Sequence, residues 1–171
     1  MQIKLFIIFI CVAATNYVFA LSSDSEQNIE IEADTAEMDD INKTTIYRGN
    51  VVINQGSIRM TGHTMTVHFD ENNDVKLVIL NGSPATYRQL PDNSDTYDEA
   101  EALKMKYYAL KNNIILIDNA LVTQEGLMFS GQKIEYDTEL SKVKAESLPN
   151  KTEKDASKKE ERVKIIIRKK D

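Results

Sequence analysis

The residues best equipped for chemistry are few and poorly placed for it. His63 and His68 are the only histidines in the chain. Five apart in an extended segment, they point to opposite faces and cannot chelate one ion; both read as structural. Asp70-Glu71-Asn72-Asn73-Asp74 has the oxygen-rich look of a calcium loop. It lacks the glycine at the sixth position and the closing bidentate glutamate that such a loop needs, and reads as a turn. Glu30, Glu32 and Asp34 alternate along one face of an extended segment, as paired carboxylates would. With no partner base nearby, they read as a solvated face. There is no Gly-rich phosphate loop and no nucleophile elbow. The expectation is a non-enzyme with no catalytic residue, no metal and no cofactor. A hydrolase would need a cleft with perturbed carboxylates, which is the weakest of the readings.

What remains is apolar surface carrying spaced aromatics. Tyr47, Tyr87, Tyr107 and Tyr136 each sit in or beside a strand-like run. Tyrosine has an apolar body and a polar tip, suited to a site half greasy and half wet. Pattern alone leaves two roles open, ordinary core packing and a ligand groove, with packing the commoner.

The elements that must position these residues are strands. Ile29-Glu30-Ile31-Glu32-Ala33 alternates apolar and charged residues, as do Met65–Phe69, Leu103–Tyr107 and Ile134–Tyr136. Tyr47, Val51 and Ile53 keep the same parity through Gly49. This period of two marks half-buried strands. Turn signals separate the runs at Asp39–Lys43, Asn54–Ser57, Asp70–Asp74, Asn81-Gly82, Pro91–Asp95, Asn112-Asn113 and Gln124–Gly126. Many short strands between regular turns predict an all-β sandwich, jelly roll or barrel. Asp98–Leu110 is rich in helix formers, yet its apolar residues fit period two better. A shift of 69 residues places Glu30 on Glu99, Ile46 on Ile115, Asn50 on Asn119, Gln55 on Gln124 and Gly62 on Gly131. The ungapped match of apolar positions around these identities predicts one meander of strands used twice.

The chain is 171 residues long, about one domain, with a formal net charge of −6. That acidity argues against a nucleic-acid partner, which rewards clustered positive charge. One cysteine excludes a disulfide framework. Lys4 followed by the apolar run Leu5–Ala14, then Val18-Phe19-Ala20, has the layout of a secretory signal cleaved after Ala20. The run is short for a bilayer-spanning helix, although an uncleaved anchor is the alternative. Cleavage would remove Lys4 and Cys11 and leave a cysteine-free chain that must hold itself together by burial and backbone hydrogen bonding. The organisation expected is a signal peptide over 1–20, a β domain over 21–148, a linker over 149–162 and a last strand with a basic tail over 163–171. Nine of the fourteen residues from Pro149 to Arg162 are charged, with both signs mixed, which is why that stretch reads as a solvated linker. Val163-Lys164-Ile165-Ile166-Ile167 beyond it is a strand in want of an edge.

Four segments carry a family resemblance. They are Tyr47-Arg48-Gly49-Asn50-Val51-Val52-Ile53-Asn54-Gln55-Gly56-Ser57-Ile58, Gly82-Ser83-Pro84-Ala85-Thr86-Tyr87-Arg88-Gln89, the pair of runs from Ala102 to Asn119, and Gly131-Gln132-Lys133-Ile134-Glu135-Tyr136. Together, over Ile29 to Ala145, they resemble the OstA-like family of lipopolysaccharide-transport proteins typified by LptA. Asp118 stands where the family's second Gly-Asn step has glycine, and the linker before the last strand is longer than the family's.

The resemblance implies a twisted antiparallel β-jelly roll, open at both ends, whose apolar interior shields the acyl chains of lipopolysaccharide in the periplasm. It implies head-to-tail joining of copies, and of LptC-like and LptD-like partners, through edge strands. The driving energy would come from an inner-membrane ATPase complex. Ile29, Tyr87 and Tyr107 match interior lipid-facing positions; Ile31, Met38, Tyr47, Val51 and Met105 join them by strand parity. Ile29 and Ile31 at one edge, and Val163, Ile165 and Ile167 at the other, are the expected partner contacts. Two rivals remain at this point: a membrane-anchored LptC-type β domain, and a structural β-scaffold with a filled core and no ligand.

Overall fold

A computed structural model describes residues 23–91, 94–147 and 162–168. The expected signal peptide and all but the last residue of the expected linker lie outside the described residues. Among the described residues, a 3₁₀ turn at Ser23–Glu26 is followed by ten strands: β1 (Glu30–Glu32), β2 (Thr35–Asp39), β3 (Thr44–Gln55), β4 (Ile58–Phe69), β5 (Val75–Gln89), β6 (Asp98–Tyr108), β7 (Asn113–Gln124), β8 (Leu127–Asp137), β9 (Lys142–Glu146) and β10 (Lys164–Ile167). They form one antiparallel sheet in the order β1-β3-β4-β5-β6-β7-β8-β10, with β2 also on β3 and β9 also on β8. The sheet does not close. The all-β jelly-roll expectation therefore holds, and the stretch from Asp98 is a strand.

A crease divides the sheet into two leaves. Every long pairing shifts register along one line: between Arg48 and Val51, Thr61 and Thr64, Asn81 and Ala85, Glu101 and Lys104, and Ile117 and Ala120. Such bulges bend a strand and increase its twist. The edge strands are split there too. β1 pairs with Val52–Asn54 in the first leaf, and β2 with Thr44–Arg48 in the second. At the far edge, β10 pairs with Leu127–Ser130 and β9 with Lys133–Asp137. Folding at the crease faces the two leaves toward each other, and their inner residues make the core.

The crease corrects two sequence readings. Asn81-Gly82 is not a turn between strands: β5 runs unbroken through it, and the glycine serves close packing. A Cβ on Gly82 would collide with the Ala85 amide nitrogen and lie 2.6 Å from Ala85 Cα, and one on Gly62 of the neighbouring β4 would lie 2.8 Å from the Asn81 carbonyl oxygen. Leu103 does not share a face with Met105 and Tyr107. The bulge flips the parity of β6, so Ala102 and Met105 are buried while Leu103 is exposed. In β3 and β7 the bulge holds two residues with positive φ, Gly49-Asn50 and Asp118-Asn119. Inner parity survives in those two strands, so Val51 and Ile53 stay in register with Tyr47.

The 69-residue repeat is structural. β3 maps onto β7 end to end, and β4 onto β8. Asp118 adopts φ 63°, so it fills the left-handed position that Gly49 fills in the first copy. Aspartate tolerates that region better than most residues.

Candidate functional site

The inner faces of both leaves are apolar because each strand alternates apolar-in and polar-out. In the first leaf the inner row runs Ile31, Ile53, Met60, Tyr87, Ala100, Val122, Phe129 and Ile165. In the second it runs Thr45, Val67, Val78, Tyr107, Ile114, Tyr136 and Val143. Between the leaves lies a cavity of about 750 Å³, within the usual size of a ligand pocket. Its walls are Ile29, Ile31, Ile53, Ile58 and Met60 from one leaf, and Met65, Val67, Phe69, Val78 and Tyr107 from the other. Polar residues rim the lips opposite the crease. Asp24, Gln55 and Gln89 stand on the first leaf's side, and Asn112, Thr138, Glu139 and Ser141 on the second's. An amphiphile fits this arrangement, with chains inside and a polar group at the lips.

The first leaf's lip is built by hydrogen bonds. Asp24, in the 3₁₀ turn, accepts from the Ser57 amide (2.7 Å), the Ser57 hydroxyl (2.7 Å) and Gln89 Nε2 (3.1 Å). The Tyr87 hydroxyl donates to Gln89 Oε1 at 2.6 Å. Further along the same lip, Asp98 Oδ2 accepts from the Tyr136 hydroxyl at 2.6 Å and from Gln124 Nε2 at 3.2 Å. Asp98 Oδ1 is buried without a partner. Burial raises the Asp98 carboxyl above its ordinary range, against the lowering effect of its two donors, with the nearby Glu125 carboxylate adding to the rise. Burial likewise raises the hydroxyls of Tyr87, Tyr107 and Tyr136, in Tyr136 with help from Asp98. All three are neutral, and those of Tyr87 and Tyr136 donate hydrogen bonds. Among the described residues no three His, Cys, Asp or Glu come together to hold a metal ion, and no helix is long and apolar enough to cross a membrane.

The residues singled out from the sequence fall on this frame as follows. Ile29, Ile31 and Tyr107 line the cavity. Tyr47, Val51, Tyr87 and Met105 face the same interior but pack into or against the core without lining the cavity. Met38 lies across from Thr45 on β2 and is 74% exposed at the sheet's edge. Ile31 pairs with Ile53, which leaves the other side of β1 without a strand among the described residues. Ile165 and Ile167 are exposed on β10 at the opposite edge, preceded by the half-buried Val163. Asp24, Gln89 and Asp98 escaped the sequence reading. The only signal for them was the repeat, which pairs Gln55 with Gln124 at equivalent lip positions.

Residues 30–142 match the family model described as LptA/(LptD N-terminal domain) LPS transport protein. The chain belongs to this family. It is 43% identical over 131 residues to the lipopolysaccharide export system protein LptH of Pseudomonas aeruginosa, covering 77% of this chain and 75% of that one. It is 32% identical over 134 residues to the lipopolysaccharide export system protein LptA of Escherichia coli K12, covering 78% and 72%. The crystal structure of the P. aeruginosa LptH, an LptA-homologous periplasmic component of the lipopolysaccharide transport device, superposes with a TM-score of 0.75 at 38% identity. That match covers 86% of this chain and 99% of the other. Membership accounts for the open jelly roll.

Proposed function

We propose that this chain is a periplasmic carrier that shields the acyl chains of lipopolysaccharide and passes the lipid from an inner-membrane complex toward the outer membrane. The observation that carries the reading is the apolar cavity between the leaves, rimmed by polar lips, in a member of the LPS-transport family. A bare acyl chain costs about 0.8 kcal/mol per methylene in water, so roughly 10 kcal/mol for a dozen. An apolar groove removes most of that cost while the sugar head stays wet at the lips. The cavity speaks against a scaffold with a filled core, and the named relatives favour the export role over the anchored LptC-type domain. No chemical step is involved. The first twenty residues act as an export signal and are cleaved after Ala20.

Ile29, Ile31, Met38, Tyr47, Val51, Tyr87, Met105 and Tyr107 form the lipid-facing surface in this proposal, the deeper ones meeting lipid as the leaves part. The two free edges do the joining. An exposed edge is normally a liability; here β1, with Ile29 and Ile31, and β10, with Val163, Ile165 and Ile167, accept strands from LptC-like and LptD-like partners or from further copies. Such a contact is head-to-tail and does not close, so it makes a bridge. The test is Tyr107→Asp, which puts a carboxylate on the cavity wall. Covering an unpaired polar group costs about 1–3 kcal/mol, a loss of roughly 5- to 150-fold in affinity for purified lipopolysaccharide. Unchanged affinity in a folded variant would remove Tyr107 from the lipid-facing surface.

A further inference from the structure

The groove is not uniform along its length. The cavity is walled chiefly by β1, β3, β4, the start of β5 and Tyr107, and its second-leaf lip runs on past Asn112 to Thr138–Ser141, while the interior between β6, β7 and β8 is packed shut. Ile114, Leu116, Val122 and Ile134 show no exposure at all and do not line the cavity. In the shut half one side-chain bond spans the mouth. Asp98 is the first residue of β6, on the lip of the first leaf; Tyr136 stands on β8 in the second leaf. Their 2.6 Å hydrogen bond ties leaf to leaf. Elsewhere on the lip the pattern differs: Tyr87 bonds Gln89 two residues along its own strand and bridges nothing.

We propose that the Asp98–Tyr136 pair is a latch that holds the second half of the groove closed, and that cargo must release it to travel from the β1 edge to the β10 edge. The inference rests on the carrier reading. The latch is poised to open. Asp98 is 1% exposed and its Oδ1 has no partner, so the closed state leaves a buried polar atom unsatisfied. Parting the leaves lets water reach both Asp98 oxygens and the Tyr136 hydroxyl, which offsets the lost bond. Cargo entering from the cavity side supplies apolar contact to the residues that opening uncovers. The shut half is therefore a gate between a loading chamber and an exit, set by two residues outside the cavity wall.

The test uses the mature chain, cysteine-free once cleaved after Ala20, with single reporters Val78→Cys in the chamber and Val122→Cys in the shut half. An apolar maleimide should label the Val78→Cys reporter readily and the Val122→Cys reporter at least tenfold more slowly. Adding Tyr136→Phe, or separately Asp98→Ala, should raise Val122→Cys labelling at least tenfold and leave Val78→Cys labelling unchanged. The proposal is overturned if Val122→Cys labels as fast as Val78→Cys in the unlatched and latched proteins alike. It is also overturned if both latch variants stay folded by circular dichroism without gaining labelling, or if both unfold, which would make the pair a strut of the fold. Lipopolysaccharide is then added. Protection of Val78→Cys supports the carrier reading; its absence alongside latch-dependent labelling would sink that reading and leave the gate standing.

Discussion

Replacing Gly49 by alanine should weaken the crease that makes the groove. Gly49 has φ 79° and lies in the two-residue bulge of β3. A left-handed backbone costs a residue with a Cβ about 1–2 kcal/mol. The new Cβ would also collide with the Asp34 carboxylate. Asp34 is fixed by its amide, which donates to the Gly49 carbonyl at 3.0 Å, and by Asn50 Nδ2, which donates to its carboxylate at 3.0 Å. Displacing it forfeits a hydrogen bond of about 1 kcal/mol. The sum is about 2–3 kcal/mol, or a fall of roughly 5–10 °C in Tm for a chain of this size. Asp118 is the matched control, since it occupies the repeat-equivalent position at φ 63°. Asp118→Ala changes one left-handed non-glycine residue into another, and should cost no more than about 1 kcal/mol. Differential scanning calorimetry of both variants reads the difference. Equal losses at the two sites, or a Gly49→Ala variant within 2 °C of the parent, would refute the role assigned to the Asp34 contact.

Other outcomes follow from the same geometry. Burial holds the Asp98 carboxyl above its unfolded value, so its contribution is fully present below the unfolded pKa and is lost as pH rises through the folded one. Urea midpoints should therefore fall, as pH rises above the ordinary carboxylate range, more steeply in the parent than in Asp98→Asn, which cannot ionise; parallel curves would contradict this. Deleting Val163–Asp171 should reduce self-association in analytical ultracentrifugation while leaving the monomer's β-sheet spectrum intact. Intact mass of the protein recovered from the periplasm should correspond to a chain beginning at Leu21.

The strands were legible because each leaf buries one face. Ile29–Ala33 and Ile134–Tyr136 alternate cleanly, and the repeat predicted the match of β3 with β7. The crease was harder to see. At Asn81-Gly82 the residues of a turn serve a bulge within one strand, and only the shift of register from Asn81 to Ala85 tells the two apart. Leu103 was misplaced for the same reason: a one-residue bulge inverts every side chain beyond it. The cavity wall was partly legible. Ile31 follows strand parity and Tyr107 came with the family resemblance, but that Met65, Val67 and Val78 face an open space shows only once the second leaf has folded over the first. The Asp98–Tyr136 bond joins residues 38 apart across the crease, and no local pattern marks it.

The most direct test of the carrier account is photocrosslinking in cells from a benzophenone side chain at position 107. Glu135 serves as the control, because it lies on the outer face across from Ile115 and pairs with Lys133. The account predicts a lipopolysaccharide adduct from position 107 and none from position 135. No adduct from either position in a folded protein, or equal adducts from both, would contradict it.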